Sequence, residues 1–304
     1  MQLTILGCHS ASPKSNAHPT AQILEVKGHL FLIDCGEGTQ VRLRQQKVKF
    51  SRLKHIFISH LHGDHVFGLM GLLTTFGLLN RKESLCIHGP KGIKEFVEIQ
   101  LKLSASFLSY KLNFNELTST TSEVIFEDDL IKIKTLPLLH RVYTNGFHFQ
   151  EKPGERKLNY QKAVDLKINP VYFNKLKQSK NVISETGEEI DFQKVTEAPD
   201  PPKSYSFCSD TSYNPKLIPL ISYTNLLYHE STFLASASHE DLAHKTGHST
   251  ATEAALIARK AKAKHLLLGH FSARYKDLNL FVKEAQEIFE PASYAYTGLK
   301  VDIE

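Results

Sequence analysis

The stretch Ser-His-Leu-His-Gly-Asp-His, residues 59–65, sets His60, His62, Asp64 and His65 side by side, directly after the apolar run Ile56-Phe57-Ile58. Each of these side chains is costly to bury alone. A chain that crowds them at the end of a buried run must give them something to bind. The same pattern recurs elsewhere. Short apolar runs at Leu3–Leu6, Leu30–Ile33, Ile56–Ile58, Ile131–Leu139, Ser204–Phe207, Leu226–Tyr228 and Leu266–Leu268 read as strands. Asp34, His60, His140, Asp210, Glu230 and His270 each follow one of these runs. One histidine at a strand end is common and means little. Six strands that each end in a potential ligand or acid–base group predict that the ends converge, as the carboxyl ends of strands do around the sites of open α/β sheets.

Neutral imidazoles and carboxylates suit zinc, with manganese or iron as alternatives. The alternation of His60 and His62 lets two imidazoles approach one ion, and the neighbouring Asp64 and His65 turn toward a second. His140 completes the first set, His270 completes the second, and the two oxygens of Asp210 can bridge them. The plain alternative is a histidine-rich loop without metal. The three further strand-end ligands weigh against it.

The rest of the chain bounds the answer. It has 304 residues, 41% hydrophobic and 23% charged, and no tryptophan. That is length for one large α/β domain. Helices are expected over Gly92–Leu103 and Thr250–Ala263, the latter opened by a capping box from Thr250 to Glu253. The start carries no basic segment followed by a long apolar stretch, and Val66–Leu79 is too short and too interrupted to span a bilayer. Cys8, Cys35, Cys86 and Cys208 form no paired motif, which suits free thiols in a reducing cytoplasm. A net charge of +5 mildly favours an anionic partner.

Residues from about 150 to 200 differ in character. They are polar and broken by Pro153-Gly154, Asn169-Pro170 and Pro199-Asp200-Pro201-Pro202, and read as an insertion projecting from the core. Residues 152–180 hold eight Lys or Arg against Glu155 and Asp165, a net +6, with Tyr160, Tyr172 and Phe173 among them. Such an arm can track phosphates, although a solvated insertion with no partner has the same composition.

These stretches carry a resemblance. His60 to His65 resemble the His-x-His-x-Asp-His signature of the metallo-β-lactamase superfamily, and "FLIDCGEGTQ", residues 31–40, resembles its first motif, in which the aspartate, here Asp34, supports the ligands from behind. "HGDHVFGLMGLL", "HGPKGIKEF", "FEDD", "HEST", "GHST" and "GHFSARY" are similar, in order, to elements of the ribonuclease Z family. The resemblance implies an α/β fold, the metallo-β-lactamase αββα sandwich, as one domain over 1–304 with a tRNA-binding arm inserted at about 150–200. It implies a zinc-dependent endoribonuclease that removes the 3′ trailer from precursor tRNA, leaving a 3′-hydroxyl on the tRNA and a 5′-phosphate on the trailer.

Carried over to these residues, it implies two zinc ions, one on His60, His62 and His140 and one on Asp64, His65 and His270, with Asp210 bridging. Asp64 accepts the proton of the attacking water, His248 donates one to the leaving oxygen, and Glu230 orients His248. Lys14, Arg274, Arg156, Lys175 and Lys177 are the expected substrate contacts. It also implies a cytoplasmic homodimer in which each arm serves the neighbouring subunit's site, without a membrane. Two departures stand out: Asn169-Pro170 replaces the arm's Gly-Pro element, and Pro13-Lys14-Ser15-Asn16 has no arginine where the family usually carries one. Two other classes remain open, a hydrolase of small esters or phosphodiesters on the same fold and a nucleic-acid-binding module with structural metals. His9, His18, His29, His55, His88, His148, His229, His239, His244 and His265 are assigned no role, nor is Cys208.

Overall fold

The structure is a computed structural model that describes residues 1–236 and 239–304. Six strands come first in the chain: β1 (Gln2–Gly7), β2 (Ala21–Val26), β3 (His29–Ile33), β4 (Leu53–Phe57), β5 (Leu85–Pro90) and β6 (Leu112–Leu117). Between them lie α1 (Thr39–Gln45), α2 (Gly63–Val66), α3 (Leu69–Leu78) and α4 (Ile93–Leu103). Next come β7 (Val124–Glu127), β8 (Ile131–Pro137) and β9 (Asn145–Glu151). The polar segment then forms β10 (Lys157–Leu158), α5 (Tyr160–Asp165), α6 (Phe173–Lys177), β11 (Val182–Ile183), β12 (Glu189–Ile190), α7 (Phe192–Val195) and β13 (Thr196–Glu197). The chain finishes with β14 (Ser204–Cys208), β15 (Leu226–Glu230), α8 (Glu240–Thr246), α9 (Ala251–Lys260), β16 (His265–Gly269), α10 (Asn279–Gln286), β17 (Ala292–Tyr294) and β18 (Lys300–Asp302).

Two seven-stranded sheets result, ordered β18-β1-β2-β3-β4-β5-β6 and β17-β16-β15-β14-β9-β8-β7. Phe31, Ile33 and Phe57 of the first sheet pack with Ile133, Phe147, Phe149 and Phe207 of the second in one buried core. The opposite face of the first sheet, with Leu32, Ile56 and Ile87, packs on Leu69, Leu72 and Leu73 of α3 and on Ile93 and Val97 of α4. Ala254, Ala255 and Ile257 of α9 and Phe281 of α10 belong to the core with the second sheet. This is the αββα sandwich. Strands buried on both faces read as continuous apolar runs, which is why Leu226–Tyr228 and Leu266–Leu268 were legible. The Thr250–Glu253 capping box forms with both of its hydrogen bonds.

Residues 128–130 and 151–202 make a separate compact unit. Its own small core consists of Ala163, Ile168, Leu176, Val182, Ile190 and Val195. The polar composition of the segment thus conceals six apolar positions. The unit's charge is also not what residues 152–180 suggest. Across both of its segments, nine Lys and Arg face eleven Asp and Glu, because Asp128, Asp129 and the acids from Glu185 to Asp200 offset the basic stretch.

Candidate active site

β3 and β4 run parallel, as do β14, β15 and β16. Their carboxyl ends therefore point the same way within each sheet. Beyond β4, the loop through Ser59–His62 leads into α2, whose first turn carries Asp64 and His65. His140 lies beyond β8, Asp210 beyond β14 and His270 beyond β16, while Glu230 is the last residue of β15. Asp34, just past β3, and His270 both adopt left-handed backbone, with φ of 55° and 59°. Non-glycine residues rarely hold that conformation, and where they do the surroundings must enforce it.

The ligand atoms form two groups. His60, His62, His140 and Asp210 make one, and Asp64, His65, Asp210 and His270 the other, with the candidate atoms of each group within 4.8 Å of one another. In the first group His62 Nδ1 lies 3.3 Å from His140 Nε2. Asp210 Oδ2 lies 3.6 Å from His60 Nε2 and 3.9 Å from His140 Nε2. In the second, Asp210 Oδ1 lies 3.3 Å from His65 Nε2 and 3.1 Å from His270 Nε2. Asp64 Oδ2 lies 3.4 Å and 3.2 Å from the same two nitrogens. Asp210 thus turns one oxygen to each group.

Three of the rings, those of His65, His140 and His270, are held from behind. Asp34 Oδ2 lies 2.7 Å from His65 Nδ1, and the Ser59 amide and hydroxyl donate to its two oxygens. His140 Nδ1 donates to the Gly247 carbonyl at 2.8 Å. Gly247 has φ +78°, and a Cβ there would lie 2.8 Å from His140 Nδ1, so only glycine closes this contact. Thr232 Oγ1 lies 2.9 Å from His270 Nδ1 and donates to Glu230 Oε2 at 2.7 Å. Partners of this kind fix the orientation of a metal-ligating imidazole. Ser59, Thr232 and Gly247 were not singled out from sequence. Thr232 and Gly247 lie inside the "HEST" and "GHST" stretches, which was the available signal.

Electrostatics divide the groups. Burial, above all, pushes His60, His62 and His140 below the ordinary imidazole value, so these rings are neutral. For His65 burial works in the same direction, but the carboxylates of Asp210, Asp34 and Asp64 overcome it and hold it well above that value. Burial works against ionised Asp64, yet His65 and His270 keep it well below the usual carboxylate range. His60 Nε2 and His65 Nε2 are buried and accept or donate no hydrogen bond. Two orphaned ring nitrogens, each amid further nitrogen and carboxylate ligands, fit a divalent metal pair better than they fit a packed core.

His248 stands beside the groups. Its Nδ1 lies 2.8 Å from Glu230 Oε1. Burial opposes its charge, but the Glu230 carboxylate and this hydrogen bond raise it to about 9. Glu230 is buried and further accepts from the Thr211 amide at 2.8 Å and the Thr232 amide at 3.1 Å. His248, Arg141, Arg274, Ser272 and Phe233 share with Asp64 the walls of one cleft. Arg141 was not anticipated. Of the expected substrate contacts, Arg274 lies in that cleft over the Phe233 ring, 5.2 Å from its centroid. Lys14 Nζ donates to the Tyr275 carbonyl at 3.0 Å. Arg156 is turned inward within its own unit, where its Nε donates to Thr196 Oγ1 at 2.7 Å. Lys175 is exposed, with its Nζ 5.3 Å from the centre of the Tyr172 ring, and Lys177 is half-buried.

Known proteins of similar sequence place this geometry. Ribonuclease Z of Bacteroides fragilis is 42% identical to the chain over 303 residues, 99% of both. Ribonuclease Z of Parabacteroides distasonis is 40% identical over 301 residues, covering 99% of the chain and 98% of that protein. The chain belongs to the ribonuclease Z family. As such it is an enzyme, a metal-dependent hydrolytic nuclease. The crystal structure of human tRNase Z, short form, covers the whole chain with a TM-score of 0.74 and 27% identity. The metallo-β-lactamase fold protein YhfI of Bacillus subtilis, at 0.68 and 18%, shares the fold. A family model, that of Anti-Pycsar protein Apyc1, matches residues 1–184. That span takes in His60 to His140 but ends before Asp210, Glu230, His248 and His270, which the ribonuclease Z relatives cover. Among the described residues, no helix is long and apolar enough to cross a membrane.

Proposed function

We propose that the chain is a zinc-dependent endonuclease that removes the 3′ trailer from precursor tRNA. The observation that carries the reading is the division of Asp210 between two four-ligand groups with the His248–Glu230 pair beside them. His60, His62, His140 and Asp210 would hold one ion, and Asp64, His65, His270 and Asp210 the other. When bound, such a pair supplies Lewis-acid stabilisation of the attacked phosphoryl group and makes water acidic enough to attack near neutral pH.

The chain's own residues do the rest. Asp64, ionised and facing the second group, orients the attacking water and accepts its proton. His248 keeps Nδ1 on Glu230, so Nε2 is the atom that gives a proton to the leaving 3′ oxygen of the tRNA body. Glu230, fixed by Thr211 and Thr232, keeps His248 protonated and correctly turned. Arg141 and Arg274, across the cleft, bind backbone phosphate. The products are a tRNA ending in a 3′-hydroxyl and a trailer beginning with a 5′-phosphate.

The compact unit of residues 151–202 acts as the tRNA-binding arm of a single catalytic domain, with Lys175 and Lys177 toward phosphate. We place it on the substrate of the neighbouring subunit in a homodimer. Free cysteines suit a cytoplasmic location. Incubating the purified protein with a trailer-bearing tRNA precursor and mapping both new ends tests the reading. A single cut at the trailer junction with these end groups supports it. Intact precursor, alongside turnover of a small phosphodiester, would assign the site to a small-substrate hydrolase.

A further inference from the structure

A second set of metal-ligating side chains lies outside the strand-end site. β4 and β5 pair in parallel, with His55 opposite Cys86 and Phe57 opposite His88. β5 and β6 also pair in parallel, with Cys86 opposite Asn113 and His88 opposite Asn115. Residues directly opposite one another share a face of a sheet, as do residues two apart along a strand. The register therefore gathers these side chains into one patch, on the face that sends Phe31 and Phe57 into the core between the sheets. Within it, His55 Nδ1 lies 3.1 Å from His88 Nε2, and His88 Nδ1 lies 3.1 Å from Asn115 Nδ2. The ligand atoms of His55, Cys86 and His88 all lie within 4.8 Å of one another.

This patch is not what packing between sheets requires. Its deeper neighbours are phenylalanines, and the Phe57 ring stacks on His88 at 4.5 Å while Phe126 meets His55 edge-on at 4.7 Å. His88 is only 3% exposed. Burial, with a smaller contribution from His55, lowers its pKa to about 3, so the ring is neutral and its nitrogen lone pair is available. Cys86 is half-buried, whereas Cys8, Cys35 and Cys208 are fully buried. Cys86 is thus the partly exposed member among the four cysteines.

We propose that His55, Cys86 and His88 form a third metal site, distinct from the strand-end pair, which takes a borderline-to-soft divalent ion of the zinc class through two imidazole nitrogens and one thiolate. Zinc with nitrogens at 2.0–2.1 Å in tetrahedral geometry sets those nitrogens about 3.3 Å apart and a thiolate sulfur about 3.6 Å from each. The observed 3.1 Å between His55 Nδ1 and His88 Nε2 needs only a few tenths of an ångström of opening. The ion takes the place of the proton shared by the two rings, and the thiol gives up its own, so loading releases protons. Asn115, with its amide turned, accepts from the Nδ1–H of His88 and holds the ring for its ligand role. The thiolate makes this site softer than the strand-end groups, whose donors are all nitrogen and oxygen.

Cobalt(II) titration of the metal-free protein is the test. The strand-end groups contain no cysteine, and the other three thiols are buried, so a sulfur-to-cobalt charge-transfer band reports Cys86 alone. The expected result is a band that saturates at one ion per chain, is absent from Cys86→Ser and survives in His62→Ala. An error in the two-ion reading would change the total cobalt bound but not this band. Absence of the band from the wild-type protein, or its persistence in Cys86→Ser, overturns the proposal. Should Cys86→Ser not fold, alkylation of the wild-type chain decides: zinc slows iodoacetamide modification of Cys86 tenfold or more if the site exists, and an unchanged rate overturns it.

Discussion

The strand-end site and the unit of residues 151–202 are built in opposite ways. In the site three of the imidazoles that face a candidate metal group have a fixed neighbour: Asp34 behind His65, Gly247 behind His140, Thr232 behind His270. The side chains are largely buried, and an error of an ångström would break a contact. In the inserted unit the charges are mostly at the surface, and what is buried is a small apolar core from Ala163 to Val195. Chemistry at a phosphorus needs atoms placed to a fraction of an ångström. Capture of a polyanion needs only charge within a Debye length. The comparison teaches that single substitutions should disable the site, whereas the unit should yield only to its removal or to several charge changes.

The largest effect is expected at Asp64. In the proposed mechanism Asp64→Ala removes both a ligand and the proton acceptor, and cleavage of precursor tRNA should fall by about 10⁴-fold or more. Elemental analysis should show less than two ions per chain. Full metal content with full activity would break the strand-end half of the comparison.

His248→Ala comes next. It should keep the metals and tRNA affinity but lose about 10²- to 10⁴-fold in single-turnover rate. The loss should shrink for a nitrophenyl phosphodiester, whose phenolate leaves without a proton. Equal losses on both substrates would make His248 a phosphate-positioning residue.

Glu230→Gln separates orientation from charge. His248 sits at about 9 because Glu230 outweighs its burial, against an ordinary 6.5. A raised value means that the charged pair contributes stability below about 6.5 and loses it as pH rises through about 9. Activity that depends on protonated His248 should fall on the same alkaline side, and earlier with cations bound close by. In Glu230→Gln the alkaline limb of the rate profile should move to lower pH. A limb that does not move would detach Glu230 from the titration of His248.

Removing the inserted unit should cost less chemistry and more binding. β9 and β14 are antiparallel neighbours with Gln150 opposite Ser204, so a short turn can replace residues 151–203. The shortened chain should bind precursor tRNA about 10- to 100-fold more weakly. Its hydrolysis of a small phosphodiester should stay within about threefold, the scale of a surface change. Equal losses on both substrates would show that the unit supports the catalytic fold instead. The smallest effect is expected for Lys175→Ala with Lys177→Ala, which should lower the salt dependence of tRNA binding by a slope of about 1 to 2.

What the amino-acid sequence determined by itself was the set of candidate ligands at strand ends and the α/β class, while the αββα sandwich followed from the resemblance to the metallo-β-lactamase superfamily. Buried strands must be apolar throughout, so Asp34, His60, His140, Asp210, Glu230 and His270 stood out at their ends. The grouping of these candidate side chains was legible too, because His-x-His and Asp-His spacing constrains which side chains meet. Tertiary structure decided the rest, through contacts between residues remote in the chain. Thr232 and the Gly247 carbonyl gain their meaning from rings at His270 and His140 that the sequence does not bring to them. β18 completes the first sheet by pairing Val301 with Leu3 across the whole chain, and no local period announces that. The insertion read as basic over 152–180 became a unit of balanced charge once Asp128, Asp129 and the acids after Glu185 folded with it. His55, Cys86 and His88 looked unremarkable as isolated letters. Only the parallel register of β4 and β5 puts His55 on the face that Cys86 and His88 share, because a slip of a single residue would turn it to the other side.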